Sequence, residues 1–417
     1  MKNERVLQQD SNYEAPSGPQ PGVAQSALNR NGGGHPVRLF VLVDALGWKF
    51  LEGREFLSDV LTYRQPLRTV LGFSSGAIPA MLTGVPPSVN GHWNLFYFDP
   101  AGSPFRWLRP FLFLPDNLLE WRVTRKLLKL TGRHLLGLGP LFECSVNVRL
   151  LPWFNYVEKK NIYARGGITG APSIFDQVAE KGISHRIYTY HEAKDEEILR
   201  EAKRDIRNQA ATFYFLYLSE MDMFLHMHCK EPQEIERRLC WYDRGLREVW
   251  EAACKVDPGA TMTLVSDHGM TPVRKYYDLM HDVEALGLQV PGDYLVVYDS
   301  TMARFWFFNE PTRTAILETI KKAPCGRLLE EQELRQLGVF FPDHRFGEAV
   351  FLLHPGWLLA RSNFNGPSWI PAGMHGYHPD DPDSDGVFLA NHPPEFPVSS
   401  VQDVHRCMLQ ALEVEKA

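Results

Sequence analysis

The chain has 417 residues, 44% hydrophobic and 23% charged: the length suits two or three units or one large α/β domain with insertions, and the composition excludes a disordered, collagen-like or coiled-coil protein. Lys plus Arg number 44 against 50 Asp plus Glu, so the formal charge of −6 offers no global reason to bind a nucleic-acid polymer. Six dispersed cysteines without a CxxC pair exclude a zinc ribbon or a thioredoxin-type redox motif.

Residues 1–36 are rich in Gly, Pro, Ser, Asn and Gln and read as a disordered lead-in to a catalytic domain over 37–417. They contain no apolar run long enough for a signal-peptide core, and no stretch elsewhere reaches 18 apolar residues, so the expected location is the cytoplasm. VRLFVLVD (37–44) is a short, continuously apolar run, the pattern of a strand buried on both faces of a parallel sheet. LGFSSGAIPAMLTGVPP (71–87) reads as a short strand followed by a helix, with Ser74 and Ser75 at the junction. Strand-like HRIYTY (185–190), TFYFLYLSEMD (212–222) and TMTLVSDHG (261–269) then alternate with helical SIFDQVAEKG and EIERRLCWYDRGLREVWEAA. The alternation predicts an α/β sandwich around a mostly parallel central sheet. Two segments interrupt it. Residues 105–160 are apolar and basic, with ten Lys or Arg against four Asp or Glu, and predict a helical lid whose place after the serine motif would let it fold over the active site. Residues 287–361 mix strand-like YLVVYDS and ARFWFF with helical TRTAILETIKKA, and predict a small α+β cap.

The acids and histidines carry the chemical information. Asp44, Asp222 and the pair Asp267-His268 each fall where a strand run ends, and open α/β sheets bind ligands at the carboxyl edges of their strands. A single such carboxylate is more often a helix cap, but three point to convergence. His226 lies four residues after Asp222, so on one helix face the two can share a cation, and His375 sits between glycines in GMHGYHP, where backbone can approach a site closely. Mixed nitrogen and oxygen donors suit zinc, with manganese or iron as alternatives, and six groups divide into two sites of three with open positions. Two cations about 4 Å apart clamp the attacking and leaving oxygens of a phosphoryl displacement. A hydroxyl at a helix N-terminus, Ser74 or Ser75, would complete the set as nucleophile.

The ordered motifs VDALG, FSSGAIPAMLTGVPP, SEMDMFLH, SDHGM and GMHGYHP resemble the alkaline phosphatase superfamily, and most of all its type I phosphodiesterase/nucleotide pyrophosphatase branch, over residues 37–393. The resemblance implies an alkaline-phosphatase-like α/β fold. It assigns Asp44, Asp267 and His268 to one metal site, Asp222, His226 and His375 to the other, and Ser74 to a nucleophile that bridges two zinc ions and is phosphorylated transiently. It further implies hydrolysis of a phosphodiester or pyrophosphate bond in a nucleotide-type substrate, to which the basic apolar segment 105–160 adds a lipid-linked substrate as the alternative. A phosphomonoesterase or phospho-group transferase would use the same groups; a metal-stabilised binding protein is the alternative from another class. Ser74-Ser75-Gly76-Ala77 stands where the branch usually has Thr-Phe-Pro-Asn, and Asn94 is one residue from the place of the family's phosphoryl-binding Asn. The sulfatase pattern, with Pro and Arg after the nucleophile, is missing from Ser75-Gly76-Ala77-Ile78. Within the lid, WRVTRKLLKLTGRHLL (121–136) interleaves Arg122, Arg125, Lys126, Lys129 and Arg133 with leucines, a pattern that suits an anionic substrate with an apolar tail or peripheral contact with an anionic membrane.

Overall fold

The computed structural model describes residues 36–136, 138, 146–363 and 370–413. The lead-in expected over 1–36 lies, but for Pro36, outside the described residues, which belong to one compact unit.

Six strands form the central sheet in the spatial order Tyr63–Leu67, Gly386–Ala390, Thr261–Val265, Arg38–Val43, Phe213–Leu218 and His185–Tyr188. Every pairing from Thr261–Val265 to His185–Tyr188 is parallel, and Gly386–Ala390 runs antiparallel to both of its neighbours. The continuous apolar runs have the predicted cause, because alternate residues enter separate cores on the two faces. Leu39, Val41 and Val43 meet Leu199, Leu239 and Leu246, while Phe40 and Leu42 meet Met81, Phe175 and Met408. Each such side chain contributes about 1.5–3 kcal/mol through burial. Register then positions the chemistry. Val43 pairs with Leu218, and Leu42 with Val265, so the chain leaves all three strands at one edge, with Asp44, the Asp222 helix and Asp267 immediately beyond.

The strands end earlier than the apolar runs, at Tyr188, Leu218 and Val265, and two differences from the sequence pattern move site residues onto helices. The run 212–222 is extended only over Phe213–Leu218, and Asp222 lies in the first turn of a helix, Glu220–His228. The cause is Asp195, a fully buried carboxylate that accepts hydrogen bonds from the Ser219 and Glu220 backbone N–H groups at 3.0 and 3.2 Å and from the Tyr242 hydroxyl. Satisfying the donors at that terminus starts the helix early. Likewise Ser74 does not end a strand; it opens the helix Ser74–Thr83, several residues past Tyr63–Leu67.

Within 287–361 lies a separate antiparallel sheet in the order Tyr294–Asp299, Met302–Phe307, Ala349–Leu353, Gly326–Leu328, with the helix Glu310–Ile320 on one face. Leu295, Val297 and Trp306 on its other face pack with Phe154, Val146, Val148 and Leu128 of the basic insertion. Fully buried Arg304 ties the sheet to the strand Phe96–Phe98 that precedes the insertion, donating to Asp299 Oδ2 at 2.8 Å and to the carbonyls of Phe96 and Phe346 at 2.9 and 3.2 Å. The insertion is therefore seated on the small sheet.

Asp195 makes a test of this scaffold. Burial pushes its carboxyl up to about 6 from an ordinary 3.8. The folded protein then binds more protons than the unfolded chain between those values, so the contribution of Asp195 is fully present below the lower one and is lost as pH rises through the upper, by about 3 kcal/mol. Asp195→Asn should flatten the corresponding fall in urea-unfolding free energy between about pH 4 and about pH 7; an unchanged profile would show that the carboxyl does not titrate in the fold.

Candidate active site

The three strand exits bring six ligand-type side chains together in two triads, Asp44–Asp267–His268 and Asp222–His226–His375, each with its donor atoms within 4.8 Å of one another. In the first, His268 Nε2 lies 3.5 Å from Asp44 Oδ1 and 3.3 Å from Asp267 Oδ2. All three residues are buried. The backbone sets their aim: the Asp44 N–H donates to the Leu218 carbonyl at 3.0 Å, continuing the ladder one residue past the strand, and the Ala45 N–H donates to Asp267 Oδ1 at 3.4 Å. His268 Nδ1 is engaged with the Gly269 carbonyl at 2.9 Å, which leaves Nε2 as the nitrogen facing the site.

The second triad is built on the Glu220–His228 helix. Spacing by four residues stacks Asp222 and His226 on one face, with His226 Nε2 3.3 Å from Asp222 Oδ2. His226 Nδ1 meets the Gly373 carbonyl at 2.9 Å, and the Ala372 N–H donates to the His226 carbonyl at 2.7 Å, so the segment preceding His375 is clipped to this helix. Gly373 permits the approach, since a Cβ there would fall 2.5 Å from Cys229 Sγ. His375 Nε2 reaches Asp222 Oδ1 at 3.5 Å. Its ring lies 3.8 Å from that of His268, nearly parallel at 13°, and this stack joins the triads into one site.

The two adjacent serines part company. Ser74 Oγ is 2.9 Å from His268 Nε2, at the facing nitrogen of the first triad, whereas buried Ser75 donates its hydroxyl to the Trp93 carbonyl at 3.0 Å. Gly76 lets Trp93 come this close, for a Cβ there would sit 2.9 Å from that carbonyl oxygen. Asn94, the next residue, is buried beside this contact, with its Nδ2 3.6 Å from Met302 Sδ and its Oδ1 without a hydrogen-bond partner among the described residues. Histidines outside the set go elsewhere: His378 faces Glu333 and Asp380.

Electrostatics favour a cation. Burial, then the Asp267 and Asp222 carboxylates, push Asp44 well above its ordinary value. Burial also opposes charge on Asp222, but His226, then His375 and His268, outweigh it and hold that carboxyl well below its usual range. At His226 the facing Asp222 carboxylate overcomes burial and raises the imidazole, while burial and then His268 press His375 down. Asp44 Oδ1, Asp222 Oδ1 and Asp267 Oδ2 are buried without hydrogen-bond partners among the described residues. Orphaned anionic oxygens facing imidazole nitrogens fit divalent ions with mixed N/O ligation, zinc first.

Sequence reasoning passed over two supports of this site. The Tyr217 hydroxyl donates to Asp44 Oδ2, and the Phe73 ring meets His375 edge-on at 5.5 Å between centroids. Strand alternation could have found Tyr217, which shares a face with Phe213 and Phe215. Gly373→Ala tests the clip at His226: it should lower stability by about 1–3 kcal/mol through overpacking against Cys229, and weaken binding of one divalent ion by about tenfold or more through loss of the His226 Nδ1 partner. Calorimetric metal titration checks the second effect.

A search of curated protein sequences gives no match. The family model for type I phosphodiesterase/nucleotide pyrophosphatase matches residues 153–378, more than half of the chain and including five of the six ligand-type residues. Among solved structures, human ectonucleotide pyrophosphatase/phosphodiesterase 5 is similar with a TM-score of 0.63 and 15% identity, over 90% of this chain and 94% of that one. The murine counterpart, in an inactive form in complex with AMP, is similar to the same degree, over 90% of this chain and 95% of that one. These likenesses show the alkaline-phosphatase-like fold. The family match, over a fold that brings two triads of ligand-type side chains to one sheet edge, makes this chain a member of the type I phosphodiesterase/nucleotide pyrophosphatase family of metal-dependent phosphoric ester hydrolases.

Proposed function

We propose that the chain hydrolyses a phosphodiester or pyrophosphate bond with two divalent cations, most simply Zn²⁺, held by Asp44, Asp267 and His268 and by Asp222, His226 and His375. The observation that carries this is the pair of triads, coupled through the His268–His375 stack, with the Ser74 hydroxyl 2.9 Å from His268 Nε2. Bound cations would supply Lewis-acid stabilisation of the charge that develops on the transferring group and lower the pKa of the serine hydroxyl.

The chain's own part is nucleophilic. Ser74 Oγ forms a bond to phosphorus as the bond to the leaving oxygen breaks, and the serine proton departs with the leaving group. Water then gives its oxygen to phosphorus and a proton back to Ser74 Oγ, so one water is consumed per turnover and the adduct on Ser74, which keeps the substituent that did not leave, is transient. Ser75 is poorly suited to this role because its hydroxyl is committed to the Trp93 carbonyl. Asn94, held next to that contact, is assigned to a phosphoryl oxygen, to which its Nδ2 would donate in place of its weak 3.6 Å contact with Met302 Sδ. The AMP bound by the murine relative supports a nucleotide-type substrate.

Three measurements test this reading. Ser74→Ala should lower kcat for a bis-aryl phosphodiester by about a thousandfold or more with folding and metal content retained, while Ser75→Ala costs about 1 kcal/mol of stability and little activity. The reverse pattern would move the nucleophile by one residue. Elemental analysis should find two metals per chain in the wild type and about one in Asp44→Ala or His375→Ala; two full metals in either variant would remove that residue from the ligand set. Acid quenching during turnover of a nucleotide diester, followed by mass spectrometry, should trap the retained nucleoside monophosphate, esterified through its phosphorus to Ser74, and a wild type that turns over without it would exclude the covalent route.

A further inference from the structure

The insertion carries a second feature that hydrolysis does not use. Nine of the seventeen large apolar side chains that stand exposed among the described residues fall between Trp107 and Leu135. The helix Arg122–His134 shows how this arises. Its inward face is narrow: Leu128 and Gly132 are buried, and Arg125 turns to Glu120 and to the Val146 carbonyl. Arg125 is thus part of the packing and not a free cation, which corrects its place in the basic stripe read from the sequence. The opposite face is apolar and bare. Val123, Leu127 and Leu130, spaced i, i+4, i+7, are 45%, 59% and 44% exposed, and Trp121 at the N-cap is 58% exposed. Thr124 Oγ1 donates to the Leu118 carbonyl at 2.8 Å, which sets exposed Leu118 beside the first turn. Arg122 and Lys126, both exposed, flank the apolar stripe one position away.

Charge selects the occupant. The 105–160 segment carries ten basic against four acidic residues in a chain whose total is −6, so the bare stripe lies in the part of the chain richest in positive charge, with exposed Arg122 and Lys126 beside it. A second copy docked face to face would set Arg122 and Lys126 against their own equivalents. An anionic bilayer meets both demands, taking apolar side chains at the acyl boundary and placing the cations at headgroup phosphates. None of the described helices is long and apolar enough to cross a membrane, which leaves contact in the interface plane. We infer that the Arg122–His134 helix is an interfacial anchor, inserting Trp121, Val123, Leu127 and Leu130 into an anionic lipid surface with Arg122 and Lys126 at the headgroups.

Co-sedimentation of the full chain with phosphatidylcholine vesicles, with and without added phosphatidylglycerol, tests this. The wild type should pellet with the anionic vesicles and be released by salt. The double variant Leu127→Gln/Leu130→Gln replaces exposed side chains with good helix formers; it should bind at least about tenfold more weakly while keeping its circular dichroism and its turnover of a soluble aryl diester. Arg122→Glu/Lys126→Glu should abolish the preference for anionic lipid. The proposal is overturned if the wild type stays in the supernatant with anionic vesicles, or if Leu127→Gln/Leu130→Gln binds them as well as the wild type. It is also overturned if sedimentation velocity shows a concentration-dependent dimer that this variant dissociates, because the stripe would then belong to a second copy.

Discussion

Three carboxylates converge in one largely buried pocket, and the rest of the site is arranged around that repulsion. Asp44 is pushed up by burial and by Asp267 and Asp222, a cost that a folded protein sustains only where something positive offsets it. Within the chain the offset is partial: Tyr217 donates to one oxygen of Asp44, and the imidazoles of His226 and His375 face Asp222. Oxygens of all three acids are left without hydrogen-bond partners among the described residues. Divalent cations would turn the same cluster from a liability into a stabilising contact, which is why metal dependence follows from the electrostatics as well as from family membership.

Holding such a cluster requires a rigid frame, and the central sheet supplies it. Parallel pairing in register puts three chain exits side by side, and two apolar cores clamp the strands from either face. Polar anchors then set the angles. Asp195 fixes the start of the helix that bears Asp222 and His226, and the carbonyls of Gly269 and Gly373 occupy the Nδ1 atoms of His268 and His226, which leaves Nε2 of both toward the site. Glycine at 373 and 76 serves close approach, in the first case to Cys229 and in the second to Trp93.

The insertion divides its side chains between two tasks. Phe154, Val146 and Leu128 attach it to the small sheet through Leu295, Val297 and Trp306, and Arg304 ties the Phe96 carbonyl to the same sheet. With attachment provided by those residues, Val123, Leu127 and Leu130 are not needed for packing and stand exposed beside Arg122 and Lys126. A helix that turns its apolar stripe away from its own domain has a surface to offer, and the cations beside the stripe define its chemistry.

Much of this was legible in the sequence because the relevant signals are local. Continuous apolar runs bounded by Gly and Pro mark strands buried on both faces, and acids just past those runs mark the carboxyl edge; together they singled out the fold class and Asp44, Asp222, Asp267 and His268, while spacing from Asp222 added His226 and flanking glycines added His375. Periodicity likewise placed Asp222 and His226 on one helical face. Tertiary structure decided the rest, since it depends on contacts between residues far apart in the chain. The partner of Asp195 is 24 residues away at Ser219, and that contact, invisible to local pattern, ended the Phe213–Leu218 strand early. Ser74 and Ser75 are equivalent by composition and only the family resemblance prefers Ser74; the physical difference is tertiary, since the Trp93 carbonyl, 18 positions on from Ser75, commits that hydroxyl and leaves the other facing His268. The basic stripe of the insertion could be read from composition, but which of its members point outward was settled by Glu120 and the Val146 carbonyl, which draw Arg125 inward and leave Arg122 and Lys126 at the surface.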